Sequence, residues 1–152
     1  MRWELAAVLL EDRAAVDTVI FQRDGRWWML TSWKTSKYGG QSDLHLYHAP
    51  APIGPWTVVS EDPVVTDALT GRNGGFLSDG RSLYRVSQQA DFGQYGNALT
   101  IHRIGRVDEH GYSEAIVQTV RAKYFPKLKG THHMHNDGGL LVYDYWRNKR
   151  VR

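Results

Sequence analysis

Asp24-Gly25-Arg26-Trp27-Trp28-Met29-Leu30 returns 55 residues on as Asp79-Gly80-Arg81-Ser82-Leu83-Tyr84-Arg85-Val86, and 58 residues later as Asp137-Gly138-Gly139-Leu140-Leu141-Val142-Tyr143. Each copy places a dipeptide suited to a tight two-residue hairpin turn directly before an apolar run. A fixed internal period decides the architecture before any local reading does.

Two further features keep that period. Leu44-His45-Leu46-Tyr47-His48 alternates as a half-buried strand does and is echoed 55 residues later by Leu99-Thr100-Ile101-His102-Arg103. Trp56-Thr57-Val58-Val59 is echoed by Tyr112-Ser113-Glu114-Ala115-Ile116-Val117, again an aromatic opening a strand after a glycine-containing turn. Short apolar first strands complete each unit, at Val19 to Phe21, Gly74 to Leu77 and Thr131 to His135. Helices are disfavoured throughout: Trp, Tyr, Val, Ile and Thr fill the periodic segments, and Gly or Pro interrupts them. Only Glu11 to Val16 has weak helical character, and it is read as a loop.

Four antiparallel strands in a unit of fifty-odd residues is the pattern of a propeller blade. The fold expected is all-β: a partial β-propeller of about three four-stranded blades, at residues 17–62, 72–120 and 130–152, in one incomplete domain covering 1–152. The third unit stops after its second strand, and Arg2 to Leu10 offers at most an outer strand for an earlier blade. An open arc exposes sheet faces and free strand edges, so marginal stability or association is expected.

The bulk properties agree with a folded domain or a piece of one. Hydrophobic residues are 41% and charged residues 23%, and the net charge of +3 owes much to Arg147, Lys149, Arg150 and Arg152. That run reads as a solvated tail, so no nucleic-acid partner is expected. The absence of cysteine excludes disulfides, thiol nucleophiles and Cys-based zinc sites. The apolar stretch Leu5 to Leu10 is far short of the ~20 residues a membrane helix needs and lacks a cleavage pattern, so no membrane partner is expected. A cytoplasmic location would follow if Met1 is the true start.

The order Asp17-Thr-Val-Ile-Phe, Asp24-Gly-Arg-Trp-Trp, Gly54-Pro-Trp56, Arg72-Asn-Gly-Gly, Tyr84-Arg-Val-Ser-Gln88, Tyr95-Gly96, Tyr112-Ser-Glu114 and Gly130-Thr-His132 makes the match more specific. It resembles the N-terminal propeller domain of glucosamine inositolphosphorylceramide transferases and of bacterial formyltransferase-like proteins. That domain is in turn similar to the five-bladed propellers of glycoside hydrolase family 43 and the levansucrase group. The resemblance spans nearly all of residues 3–145. It implies a place among the later blades of a five-bladed ring, with N-terminal blades outside the chain and a fused transferase domain as partner. One departure is Asn73, where the family usually has Pro.

In a propeller the first strand of each blade lines a central channel, so residues one period apart converge at its mouth. Asp17 and Arg72 are so related, each seven residues before its Asp-Gly. Glycoside hydrolysis needs two carboxyl groups, one ionised and one protonated, and the candidate catalytic pair is Asp17 as base and Glu114 as acid. The plainer alternative has Asp17 capping a turn and Glu114 on a solvated outer strand. The resemblance to family 43 implies a second inner Asp where this chain has Arg72. A guanidinium cannot accept a proton at neutral pH but suits a carboxylate or phosphate, so an anionic sugar or sugar phosphate is one expected ligand. A structural ion pair of Arg72 with Asp17 or Glu114 is the alternative.

Two segments read as loops between second and third strands, Thr31 to Ser42 and Ser87 to Asn97. They carry Trp33, Tyr38, Gln88 and Tyr95, and with Arg85 and His132 these complete the substrate-binding candidates beside Arg72. Aromatic faces and amides are what a sugar needs, whereas Trp27, Trp28 and Trp56 read as packing. His133, His135 and Asp137 have His-x-His-x-Asp spacing, but the motif lacks its further His and Asp137 already serves the turn, so no metal and no cofactor is expected. Gly39-Gly40 and Gly74-Gly75 lack the Lys-Ser/Thr of a phosphate loop and read as turns or close strand approaches. Three functions stay open: a carbohydrate-recognising propeller serving a transferase, a glycoside hydrolase or transglycosylase, and a structural protein-interaction propeller.

Overall fold

Asp24 and Gly25 take φ of +53° and +75°, the left-handed pair a two-residue hairpin requires, and join strand β1 (Ala15–Arg23) to β2 (Arg26–Trp33). These values come from a computed structural model that describes residues 2–11, 13–34, 43–91, 94–122 and 126–147; the side chains of 90, 91, 94 and 95 are not described. The three Asp-Gly copies do not make one turn. Ser78 pairs with Leu83, leaving a four-residue loop whose N–H groups at Arg81 and Ser82 donate to the Asp79 carboxylate. Asp137 pairs with Leu140, so the third turn shifts by one residue onto Gly138 and Gly139, both at positive φ.

The chain is all-β, in antiparallel sheets, with no α-helix among the described residues. Among the described residues no helix is long and apolar enough to cross a membrane. In the first sheet β1, β2 and β3 (Asp43–Ala49) pair in order, and the outer position is shared by β4 (Thr57–Val58) and β5 (Val65–Thr66). The sequence suggested a single fourth strand at Trp56 to Val59. It is interrupted at Ser60 to Pro63, where proline has no N–H for the ladder, and pairing with β3 resumes two residues later. The second sheet is a four-strand meander of β6 (Asn73–Ser78), β7 (Leu83–Asp91), β8 (Gln94–Asp108) and β9 (Gly111–Arg121). The third is the hairpin β10 (Met134–Asp137) and β11 (Leu140–Tyr143).

The second and third strands of the first two units run further than their sequence suggested. Thr31 to Trp33 belong to β2, and Ser87 to Asp91 extend β7, so most of the segment read as a second loop is a paired hairpin. Arg2 to Glu11 form no strand.

The three sheets stay separate, but their first strands are neighbours: β6 lies between β1 and β10. Between the first and second sheets the apolar faces meet. Phe21 stacks on Phe76 with ring centroids 4.8 Å apart, and Val19, Trp28, Leu30, Leu44, Leu46, Ile104 and Val107 fill the layer around them. Trp28 is thus a packing residue, as its position in the repeat implied. Between the second and third sheets the approach is backbone on backbone. A Cβ at Gly74 would lie 2.6 Å from the His132 carbonyl oxygen, and one at Gly75 would run into that of Met134. The Arg72-Asn-Gly-Gly motif is therefore a close-approach motif, as expected of Gly74-Gly75. On the far side, Leu140 to Tyr143 are all exposed.

Candidate functional site

The starting ends of the three first strands lie together. Asp17 and Thr18 come from β1, Asn73 from β6, and His132 and His133 from the residues just before β10; with Gln88 of β7 they line a cavity of about 120 Å³. A bulge between Val16 and Val19 breaks the β1 register at Asp17, whose φ of +53° is a conformation aspartate tolerates better than most residues. Its Oδ2 accepts from Arg72 Nε, an ion pair between the residues one period apart.

Asn73 is the residue on which the site is built. Buried to 1% exposure, its Nδ2 donates to the carbonyls of Asp17 and Leu30, both at 2.9 Å, and its Oδ1 accepts from Arg85. Its own carbonyl accepts from Gln88 Nε2 at 2.7 Å. A proline here would supply none of the side-chain bonds, so the departure from the family pattern is where the first two sheets are stitched together.

Opposite Asn73 a charged cluster crosses the second sheet. Arg85 is fully buried and grips Glu114 with two donors, Nε to Oε2 at 2.8 Å and a second from Nη2 to Oε1. Tyr112 donates to the same carboxylate at 2.5 Å, and His102 Nδ1 lies 3.2 Å from it. His102 Nε2 is 2.8 Å from Ser87 Oγ. Burial alone would raise the Glu114 carboxyl, but the Arg85 hydrogen bonds and charge outweigh it and hold it below the usual range. Burial, with the Arg85 cation beside it, pushes His102 down from 6.5 to about 4.

The sequence-chosen residues thus divide. Asp17, Gln88 and His132 share the cavity, and Arg72 is tied to it through Asp17. Glu114 does not line the cavity with Asp17; it lies on the outermost strand of the second sheet, and Arg85 is committed to it. Trp33 stacks on His45 at 3.5 Å between centroids, with the Arg13 guanidinium over its ring, and does not line the cavity. Tyr38, Gly39, Gly40, Lys149, Arg150 and Arg152 lie outside the described residues, as does the side chain of Tyr95. His132 is paired with Asp144, which also accepts from the N–H groups of His132 and His133. Among the described residues no three His, Asp or Glu side chains gather to hold a metal ion. Sequence reasoning missed Thr18, Asn73 and His133 as lining residues; the period itself pointed to them, since each adjoins a residue it selected.

The His102 shift has a consequence in acid. Because its folded value lies below the unfolded one, the unfolded chain takes up the proton first, so stability is complete above about pH 6.5 and declines as pH falls toward 4. Unfolding by urea at pH 5 is expected to need about 2 kcal/mol less than at pH 7 on account of this residue. His102→Gln should flatten that slope; an unchanged slope would mean that the imidazole is hydrated.

Residues 1–138 match the family model described as glucosamine inositolphosphorylceramide transferase 1, N-terminal. The chain belongs to that N-terminal family. Two curated members, both glucosamine inositolphosphorylceramide transferase 1, from the japonica and indica subspecies of Oryza sativa, are each 32% identical over 123 residues. The matched stretch is 77% of this chain but 16% of either relative, so the chain spans about a sixth of those family members. No solved structure matches significantly.

Proposed function

We propose that this chain is a carbohydrate-recognising part of a glycan-biosynthesis protein, three blades of a β-propeller that hold a sugar at the cavity between Asp17, Gln88 and His132. Membership of a glycosyltransferase N-terminal family supports the association with glycan synthesis, with a separate transferase domain as the natural partner. The observation that carries the binding reading is the convergence of three period-related strand starts on one polar cavity. The blades correspond to 17–62, 72–120 and 130–152, and the exposed Leu140 to Tyr143 run supports a further sheet packing there. In this reading the domain orients an acceptor and the chemistry happens elsewhere. A hydrolytic alternative, Asp17 as base and Glu114 as acid, asks Glu114 to keep its proton at neutral pH, and the Arg85 pairing pulls the opposite way.

Saturation-transfer NMR of the chain with a panel of mono- and disaccharides tests this. Transfer to at least one sugar is expected, weakened about tenfold by His132→Ala, the loss of one good hydrogen-bonding partner. Silence across the whole panel would remove the proposal.

A further inference from the structure

Asp144 directly follows β11 and does not line the cavity, yet it holds the stretch that supplies the cavity's two imidazoles. Its Oδ1 accepts from the N–H groups of His132 and His133 at 2.9 and 2.8 Å, and its Oδ2 is paired with His132 Nδ1. Its backbone closes the same loop. The Asp144 N–H donates to the His133 carbonyl at 3.1 Å, and the Asp144 carbonyl accepts from Thr131 Oγ1 at 2.8 Å. Thr131 in turn donates its N–H to the Gly96 carbonyl of β8, so the segment is tied to the second sheet as well. Fastening two backbone N–H groups needs only one carboxylate oxygen. The other is committed to a side chain that lines the cavity.

That second contact fixes the chemistry of the ring as well as its place. A carboxylate has lone pairs and no proton to offer, so the ring nitrogen facing it must be the donor. A neutral imidazole carries a single N–H, and with that proton on Nδ1 the nitrogen across the ring, Nε2, is an acceptor. Holding one ring nitrogen by a carboxylate is how proteins set both the orientation and the tautomer of a working histidine.

We infer that Asp144 is a positioning residue of the sugar cavity: from outside it, Asp144 holds the His132 ring in place as the Nδ1–H tautomer, and the affinity of the cavity depends on that hold. This rests on the sugar-binding reading above and names the group that prepares the site for it. Asp144→Asn separates this role from simple fastening. The amide oxygen can keep both backbone N–H groups, which turns the amide nitrogen toward His132. That nitrogen can only donate, so it drives the ring to the Nε2–H form.

Nitrogen-15 NMR of the histidine side chains, with the pH raised until the ring is neutral, reads the tautomer. The same samples are titrated with mono- and disaccharides, the methyl glycosides of glucose, galactose and mannose among them. The Nδ1–H form is expected in the unmodified chain and the Nε2–H form in Asp144→Asn, with sugar binding about tenfold weaker in the variant, the size of one mismatched hydrogen bond. An Nε2–H ring in the unmodified chain, or equal affinity in the two chains, overturns this inference and leaves the sugar-binding reading intact. Silence of the unmodified chain toward every sugar overturns both. Should Asp144→Asn lose its fold, as its amide spectrum would show, the unmodified chain decides: an Nδ1–H ring whose resonances move as sugar is added upholds the inference, and a ring that does not respond overturns it.

Discussion

Arg85→Met is expected to lower the unfolding free energy by about 3–5 kcal/mol, the usual penalty for removing one partner of a buried ion pair. Folded domains hold only ~5–15 kcal/mol in total, so this single change should bring the chain close to unfolding at room temperature. The loss comes less from the missing attraction than from what remains: Glu114 is still buried beside His102 and Tyr112, with its strongest donors gone. Arg85→Lys should rescue little, because an ammonium cannot reproduce the two-pronged grip. The informative variant is Arg85→Met combined with Glu114→Leu. With both charges removed, most of the loss should return in urea denaturation at pH 7, and the difference from the summed single changes measures the coupling. A loss under about 1 kcal/mol for Arg85→Met would mean that water reaches Glu114, in contradiction to the burial described here.

That cluster also shows what the amino-acid sequence could and could not reveal. The period was legible because Asp-Gly turns and alternating strands repeat in one dimension, and it correctly brought Asp17 together with Arg72 and His132 near them. Glu114 was read as a catalytic acid or a solvated residue, and it is neither exposed nor poised to hold a proton. Its surroundings depend on strand pairing: Phe76 faces Arg85, Arg85 faces His102 and Ile104 faces Glu114, which sets all of them on the face toward the first sheet. A register is a three-dimensional fact that spacing alone does not contain, and bulges at Ile101 to His102 and Ile104 to Arg106 shift it further. The split outer strand of the first sheet was more accessible, since Pro63 announces a break. Asn73 was visible as a departure from the family pattern, but only its hydrogen bonds show that the departure ties two sheets together.

Gly75→Ala is the second large effect expected, and it acts on the attachment of the third sheet. Gly75 has φ of +124°, a region closed to residues with a Cβ, and the added methyl would strike the Met134 carbonyl that β10 presents to β6. Backbone strain and overpacking each cost about 1–3 kcal/mol, so the combined penalty is about 2–6 kcal/mol. The chain has a way to avoid it: the β10–β11 hairpin can lift away, since its outer strand is exposed already. Relief by detachment limits the change in global stability and moves the signal into local exchange. Amide hydrogen exchange in Met134 to Tyr143 should therefore quicken by at least about a hundredfold while β7 and β8 keep their protection, a local opening of the kind seen in weakly packed units. Gly80→Ala serves as the control, because its φ of +82° is strained as well but no atom lies within 4 Å of the new methyl. If both variants behave alike, backbone strain alone accounts for the effect and the contact between β6 and β10 is loose. If only Gly75→Ala frees the hairpin, the cavity loses the wall that His132 and His133 provide, and the proposed sugar binding should fall with it.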